Sequence, residues 1–449
     1  MKIKQINMTE GSIVKKLMEF SVPLILSNIL QLLFNACDII VVGKFSGDDS
    51  LAAVGSTSVI INLLTNLFMG LSIGTNVVCA NYFGAKKSDL LNKTVHTAIL
   101  LSLISGIILT FVGLIFVHPI LKIMGSPEDV FPKASLYLRV YFSGITSTMV
   151  YNFGSAILRA KGDTQRPLII LMISGVINLI LNLIFVIIFN LDVMGVSLAT
   201  VISQTFSAVI IILLLTRESD AFKLNLKKLS LDSQIVLRII KIGVPAGVQG
   251  IIFSLSNMVI QTSVNSFGKI AIAGNSAAQS LEGFVYITMN SVAQGTLTFT
   301  SQNLGAKKFE RIKKVALYSQ LISFSFGMIL GNSIYFFGEK FLSFYTNNPE
   351  AISVGLLRLS YICTTYGFCG IMDCTANLIR ALGHSMTPML ITLFGACGFR
   401  IIWIFTVFRI EKYHTLDSIY ISYFFSWTLT YLILLICFYF IFKRLKKNI

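Results

Sequence analysis

Asp38 lies well inside Ser21–Gly43, an apolar stretch long enough to cross a bilayer. Three polar residues precede this acid on the same helical face, at gaps of four, four and three: Ser27, Gln31 and Asn35. A charged side chain in the middle of a membrane costs roughly 2.5–3.5 kcal/mol, so it usually faces the protein interior or water and has a function. We therefore expect Asp38 to be functional; the alternative is that it only pairs with a neighbouring helix.

Three further polar residues are predicted to reach the depth of Asp38 in the outer half of the membrane. At about 1.5 Å per residue, Asp38 lies roughly 27 Å along the first helix, and Asn178 and Asn182 lie about 16 and 22 Å along the fifth. Thr200 lies roughly 10 Å below the outer surface on the sixth helix. Carboxylate, amide and hydroxyl oxygens suit a proton or a hard cation such as Na⁺, and no other metal site is expected. Asparagines also join helices in lipid, so a structural role stays open for Asn178 and Asn182.

The composition predicts the elements that must carry these residues. Of the 449 residues, 55% are hydrophobic and only 12% are charged, whereas soluble chains have about 25% charged residues. Because the apolar runs are of helix length, we predict an all-α integral membrane protein. Twelve transmembrane helices are predicted, at 20–43, 51–80, 92–118, 134–158, 167–189, 194–215, 236–265, 271–301, 315–337, 352–379, 386–408 and 418–442.

The basic residues indicate the topology of these helices. The chain has 36 Lys and Arg against 20 Asp and Glu, a formal net charge of +16. Most of the basic residues fall at the two termini and in the even-numbered loops, which the positive-inside rule places in the cytoplasm. We therefore expect both termini to be cytoplasmic, the lipid bilayer to surround the helices, and no binding of nucleic acid.

Two similar halves follow one another in the chain. Pro23 matches Pro245 at an offset of 222 residues, and GAKK at 84–87 recurs at 305–308, an offset of 221. With six spans each, the copies enter the membrane in the same direction, a parallel repeat that is typical of secondary transporters. We predict an N-terminal six-helix lobe, a cytoplasmic linker and a C-terminal six-helix lobe, at 1–216, 217–233 and 234–449.

Motifs for other kinds of chemistry do not stand out in the sequence. It has no GxxxxGK[ST] phosphate loop, so we do not expect ATP-driven transport by this chain alone. It has no HExxH motif, and its seven cysteines form no CxxC pair. We therefore predict that the protein is not an enzyme and uses no cofactor, and that its polar residues serve secondary transport.

An ordered set of motifs runs through both halves. They are ACDIIVVG (36–43), LAAVGS (51–56), YFGAKK (82–87), ILRAKGDTQRP (157–167), NLILN (178–182), GVSLAT (195–200), GVPAGVQ (243–249), SQNLGAKK (301–308) and LIRALGHSMTP (378–388). The set resembles the bacterial branch of the multidrug and toxic compound extrusion (MATE) family over nearly the whole chain. The resemblance implies two six-helix lobes in a V shape. It also implies a monomeric antiporter of the bacterial inner (cytoplasmic) membrane that exports bulky, often cationic drugs in exchange for Na⁺ or H⁺ by alternating access.

The resemblance assigns roles to several residues. Asp38 matches the first-helix acid that the family uses for cation coupling, and Asn178 and Thr200 match two further ligands. Asn182 differs, because some members have Asp there, which leaves the ion and its stoichiometry open. Pro23 matches a first-helix proline near which some members are thought to bend, although proline is also tolerated in the first turn of a helix.

The C-terminal lobe carries a second polar group. Glu282 heads a helical stripe with Tyr286 and Gln294. A single intramembrane Arg400 with two acids, Glu282 and Asp373, suggests a buried ion pair whose acid the sequence does not identify; for all three, structural pairing is the alternative to a role in the cavity. The predicted substrate-cavity residues of both lobes are Gln31, Asn35, Glu282, Tyr286, Gln294, Asp373 and Arg400.

Two other functions stay open as alternatives. A lipid-linked oligosaccharide flippase of the same superfamily would usually have extra spans or a strongly basic cavity, whereas this chain has twelve predicted spans and one intramembrane Arg. A passive channel or a membrane scaffold would need neither the duplication nor the acid on a polar stripe. The flux through a channel would not respond to a Na⁺ or proton gradient. Multidrug export is the function that we expect.

Overall fold

Helices of membrane-crossing length form nearly all of the regular structure, because only internal hydrogen bonds satisfy a backbone in lipid. The structure, a computed structural model, describes residues 6–123 and 127–448. Every regular element within these two ranges is helical, and nine helices there are long and apolar enough to cross a membrane. The predicted all-α membrane class is confirmed: the chain is a multi-pass membrane protein.

Six long helical segments form the first half of the chain. They are α1 (Ile13–Phe45), α2 (Asp48–Gly84), α3 (Ser88–Ile123), α4 (Phe131–Ser143 continued by Ile145–Lys161), α5 (Gln165–Ile188) and α6 (Asp192–Thr216). The last turn of α5, Ile184–Ile188, is a π-helix. Most of these helices extend beyond the apolar spans predicted for them, because a helix can continue past the membrane into polar sequence.

Six further segments form the second half. They are α7 (Ser233–Asn265), α8 (Lys269–Gly305), α9 (Phe309–Phe336), α10 (Pro349–Ala381), α11 (Met386–Arg409) and α12 (Leu416–Asn448). A short helix, Gly338–Leu342, precedes α10, and α11 contains a π-helix at Leu393–Gly398. The twelve segments lie at the twelve predicted positions in the described chain. Three of them, α2, α4 and α8, are not among the nine that length and composition alone assign to the membrane.

The duplication is also visible in the backbone. Gly162 ends α4 in a left-handed conformation with φ 96°, and Gly383, 221 residues later, follows α10 with φ 91°. In the repeated GAKK element the left-handed residue is the third one, Lys86 and Lys307, each with φ 56°. Matching turns at this one offset confirm that the two halves repeat one fold.

The helices pack into two compact units. One contains Leu26–Gly247, and the other contains Met8–Ile25 together with Val248–Ile449. The change from one unit to the other therefore falls inside α1 and inside α7, three residues after Pro23 and Pro245. The predicted lobe boundaries, which assign each of these helices to a single lobe, stay a prediction.

Pro23 lies in the interior of α1, because the helix begins at Ile13 and continues to Phe45. The alternative that this proline belongs to the first turn is wrong. The predicted span was too short at its start because the preceding sequence, IVKKLMEF, is too polar for a hydropathy pattern although it is helical. A proline inside a helix removes one backbone hydrogen bond and can bend the helix. The predicted conformational role of Pro23 stays a prediction.

The stretch that follows α6 is docked within the first unit. Phe222 is fully buried, and the backbone N–H of Asn225 donates a hydrogen bond to His96 Nε2 of α3 at 3.0 Å. At the end of α4, Lys161 forms a buried ion pair with Glu218 at 2.5 Å. The predicted linker is thus attached to α3 and α4 by side chains that the sequence pattern did not select.

Candidate functional site

A chain of hydrogen bonds that begins at Asp38 forms the candidate site of the first unit. Helices α1 and α5 approach closely because Gly175 has no side chain; a Cβ there would overlap the ring of Phe34. At this approach the Asn182 amide donates a hydrogen bond to Asp38 Oδ1. Asn182 is fully buried and Asp38 is partly buried, so a neutral group of the protein holds the carboxylate.

The chain continues from Asn182 to α6. Asn182 Nδ2 also donates to Asn178 Oδ1 at 3.3 Å, and Asn178 Nδ2 donates to Thr200 Oγ1 at 3.4 Å. Both distances lie at the long end of the hydrogen-bond range, so these contacts can rearrange at little cost. The structure thus brings together the four residues predicted for cation coupling, in the order Asp38, Asn182, Asn178 and Thr200.

A tight connection between α5 and α6 fixes the position of these two helices along each other. Asn190 and Asp192 have φ of 52° and 51°, a left-handed conformation that few residues other than glycine adopt readily. The π-helix before this turn shifts the end of α5 by a fraction of a turn, as such segments often do beside functional sites. Lys133 of α4 stabilises the turn through an ion pair with Asp192 at 3.0 Å. The turn therefore places α6, with Thr200, beside the asparagines of α5.

One oxygen among these four hydrogen-bonded side chains has no partner. Asn182 Oδ1 is buried and accepts no hydrogen bond, although most buried polar groups are satisfied. Na⁺ prefers oxygen ligands of this kind, and a protonated Asp38 could donate to the same oxygen. No group of three or more His, Cys, Asp or Glu that could hold a metal ion occurs in the two described ranges. The arrangement suits a proton or an alkali cation with a single carboxylate.

Gln31 and Asn35 lie on α1 before Asp38, and both side chains are exposed. They share the helical face of Asp38 but are outside the hydrogen-bonded chain described above. Their predicted contact with substrate stays a prediction.

In the second unit, Glu282 forms a buried ion pair with Arg358. Arg358 Nε and Nη2 donate to the two carboxylate oxygens at 2.7 and 2.8 Å, and both side chains are 5% exposed. Arg358 Nη1 donates to Asn275 Oδ1 at 2.8 Å, and the Tyr420 hydroxyl donates to the same oxygen at 3.2 Å. The predicted pairing of Arg400 with an acid is therefore wrong for Glu282, because Arg358 occupies both oxygens of this carboxylate.

Arg400 has no acidic partner in the part of the chain that the structure describes. Its Nε donates to Ser426 Oγ at 2.8 Å, and its guanidinium carbon lies 4.0 Å from the centroid of the Tyr423 ring. Arg400 is also not the only arginine buried in a helix long and apolar enough to cross a membrane, because Arg358 and Arg380 are buried in α10. The number of arginines therefore no longer argues against the flippase alternative.

The remaining predicted residues of the second unit are less enclosed. Asp373 lies close enough to Tyr286 for an electrostatic interaction, and Gln294 Nε2 donates to Asn290 Oδ1 at 2.9 Å. Tyr286 is 41% exposed, in contrast to the buried Glu282 one turn before it on α8. The stripe predicted on α8 is therefore divided into a buried ion pair and an accessible polar part.

Arg358 is the residue that the sequence analysis missed. The predicted span 352–379 already contained it, but its nearness to the start of the span suggested a helix end. In the structure Arg358 lies about 14 Å along α10 and Glu282 about 20 Å along α8. An arginine inside an apolar span needs an acid at similar depth, and this requirement could have identified the pair.

A family model described as MatE matches this chain twice, at residues 23–184 and 245–406. YoeA, a probable multidrug resistance protein of Bacillus subtilis, is 27% identical over 397 residues, which cover 87% of this chain and 86% of that protein. The FAD transporter of Shewanella oneidensis is 25% identical over 391 residues and covers 84% of each chain.

A solved structure supports the same relationship at the level of the fold. The crystal structure of MATE in complex with MaL6 superposes with a TM-score of 0.92 at 21% identity, over 99% of this chain and 100% of that one. The two MatE matches have equal length and are offset by 222 residues, within one residue of the offset between the repeated backbone turns. Because these matches cover well over half of the residues, the chain belongs to the MatE family of membrane transporters.

Proposed function

We propose that this protein is a secondary active antiporter that exports bulky, often cationic compounds in exchange for Na⁺ or H⁺ by alternating access. It acts in the bacterial inner membrane as a monomer, with both termini in the cytoplasm. Relatives named for multidrug resistance support drug-like substrates, and the Lys and Arg distribution supports the orientation.

The observation that carries this proposal is the hydrogen-bonded chain from Asp38 to Thr200. Its single carboxylate is held by a neutral amide, so its charge is available to one incoming monovalent cation. Asn182 Oδ1, which has no other partner, supplies a second oxygen ligand or accepts a hydrogen bond from the protonated acid. Binding of the cation removes a negative charge from the membrane interior, and its release restores that charge. Binding of the cation can therefore shift the equilibrium between two conformations in one direction, and its release can shift the equilibrium back.

The proposed substrate contacts are the accessible polar residues. Tyr286, Gln294 and Asp373 of the second unit fit this role, as do Gln31 and Asn35 of the first. Glu282 and Arg400, which were also predicted for the cavity, are left out of this proposal because both are buried and hydrogen-bonded to protein groups. Tyr286 offers an aromatic face and Asp373 a charge of the sign that attracts organic cations.

Pro23 is proposed to allow α1 to change shape during transport. The transition between the compact units falls three residues after this proline, so bending there would alter the part of α1 that carries Asp38. A helix-interior proline is a common place for such a bend.

The proposal is tested by ethidium efflux from energised cells that express Asp38→Asn. We expect efflux to fall to the level of cells without the transporter, because a neutral amide cannot exchange a cation. Asp129→Asn is the matched control, since Asp129 is an exposed acid before α4. Full efflux by Asp38→Asn at normal expression would contradict the proposal. Flavin efflux in the same cells tests whether an anionic compound, like that of the related FAD transporter, is also exported.

A further inference from the structure

Arg400 is a buried cation that forms no ion pair with an acid in the described part of the chain. Its side chain is 2% exposed, and it lies on α11 directly after the π-helix Leu393–Gly398. Nε donates to Ser426 Oγ, but Nη2 is buried and has no acceptor. A buried, unpaired N–H of a charged group is costly, and it calls for a partner that protein atoms do not supply here.

Aromatic rings offset only part of this cost. The guanidinium carbon of Arg400 lies 4.0 Å from the centroid of Tyr423 and 5.5 Å from that of Trp427. These contacts stabilise the charge through the negative faces of the rings. They leave the in-plane N–H groups of Nη2 unsatisfied, because a ring face interacts with the flat side of a guanidinium.

Glu282, the acid of this cluster, already forms an ion pair with another arginine. Both oxygens of Glu282 accept hydrogen bonds from Arg358. Arg358 also lies 5.7 Å from the Tyr423 centroid, so Tyr423 contacts two guanidinium groups while one carboxylate is present. Asp373, a second acid nearby, interacts electrostatically with another cation, Arg380. The buried cluster formed by Glu282, Arg358, Arg400, Tyr423 and Trp427 therefore has a net charge of +1.

We propose that this cluster holds one small monovalent anion, of the size of chloride, at Nη2 of Arg400. One negative charge would neutralise the cluster, and the unpaired N–H would gain an acceptor. The tight enclosure of Arg400 favours a monatomic anion over a phosphate or a carboxylate group. The site is independent of the Asp38 chain, which lies in the first unit.

Trp427 offers a direct reporter of this site. The chain has two tryptophans, so Trp403→Phe leaves Trp427 as the only one. Trp427 is 4% exposed, which limits quenching by collision with free ions. Bromide bound at Arg400 would lie beside this indole and quench its fluorescence in a saturable way.

The experiment is a bromide titration of the purified full-length Trp403→Phe protein in gluconate buffer. We expect saturable quenching that chloride displaces, and a melting temperature that rises with chloride because the anion binds only the folded protein. Arg400→Gln should weaken the saturable component about tenfold or more. Arg409→Gln is the matched control, because Arg409 is exposed at the end of α11, and it should leave quenching unchanged.

Two results would overturn the proposal. One is quenching of Trp427 that grows linearly with bromide in the protein with Arg400 intact, together with a melting temperature that is the same in chloride and gluconate. The other is an identical saturable curve in Arg400→Gln. If Arg400→Gln does not fold, Arg400→Lys replaces it: it keeps the charge but not the fork of donors, and it should weaken the saturable component.

Discussion

Asp38 and Glu282 are both acids that are predicted to lie inside the membrane, but their partners differ in charge. Asp38 accepts a hydrogen bond from the neutral Asn182, whereas Glu282 is paired with the cation Arg358. A carboxylate with a neutral partner can bind an arriving cation, and one that is already neutralised cannot do so without losing its ion pair. At the scale of single residues, the proposed coupling therefore belongs to Asp38, and Glu282 stabilises the second unit.

Glu282→Gln should destabilise the protein by about 3–5 kcal/mol, because it leaves Arg358 buried without an acid. The measurement is the midpoint of denaturant-induced unfolding in detergent. Glu339→Gln is the control, since Glu339 is an exposed acid. The double variant Glu282→Leu/Arg358→Met should recover much of the loss, because it removes both charges. A single Glu282→Gln variant as stable as the control would contradict this account of the pair.

Loss of the Asn182 amide should affect coupling more than loss of the Asn178 amide. Asn182 contacts Asp38 directly, while Asn178 is one hydrogen bond further away. Asn182→Ala also removes Oδ1, the proposed second ligand of a bound Na⁺. The loss of such a contact to a charged group, about 1.5–3 kcal/mol, should raise the Na⁺ concentration for half-maximal efflux about tenfold or more. Asn178→Ala should shift it less. Equal shifts in the two variants would contradict the order of the chain.

Glycines position the helices within the first unit. Gly70 and Gly74 of α2 face the first part of α7, where Gly243 and Gly247 lie, and an added Cβ at any of the four would overlap backbone atoms of the other helix. Small residues at such contacts let helix backbones approach closely in lipid. This close packing attaches the first part of α7 to α2, within the same compact unit.

Gly74→Ala and Gly55→Ala give opposite predictions on the same helix. At Gly74 a Cβ would overlap the Ile239 carbonyl, whereas at Gly55 it would meet no atom within 4 Å. Gly74→Ala should therefore cost about 1–3 kcal/mol, and Gly55→Ala should be neutral or stabilise α2 by up to about 1 kcal/mol. Thermal unfolding of the two purified variants distinguishes these outcomes. A Gly74→Ala protein as stable as Gly55→Ala would show that the close approach is wrong.

The helices could be predicted well because lipid imposes long apolar runs. Their orientation, which charge placement predicts, stays a prediction. The start of α1 at Ile13 could not be predicted, because hydropathy detects lipid-facing residues and not a helix that continues into polar sequence. Arg358 was missed for a similar reason: a hydropathy pattern records its charge but contains no information about the acid on another helix that neutralises it. The depth of Asp38, Asn178 and Asn182 followed from helix rise. The order of their hydrogen bonds depends on side-chain rotamers and on the π-helix of α5, which the sequence pattern does not reveal.

Across the whole molecule, the two halves repeat one fold but not one chemistry. Backbone turns recur at one offset, and the MatE model matches both halves. The position that corresponds to Asp38 in the second half is Ile260, a 2% exposed member of an apolar core. We therefore expect the first half alone to provide the coupling carboxylate on its first helix, and one monovalent cation to be exchanged at that acid in each cycle.

The central claim is that a cation gradient drives export through Asp38. Its most direct test is substrate efflux from proteoliposomes in which a Na⁺ gradient and a proton gradient are imposed one at a time. We predict that at least one of the two gradients accelerates efflux by the wild-type protein and that neither does so for Asp38→Asn. Efflux that is equally fast with and without each gradient, or gradient-driven efflux by Asp38→Asn, would contradict the account.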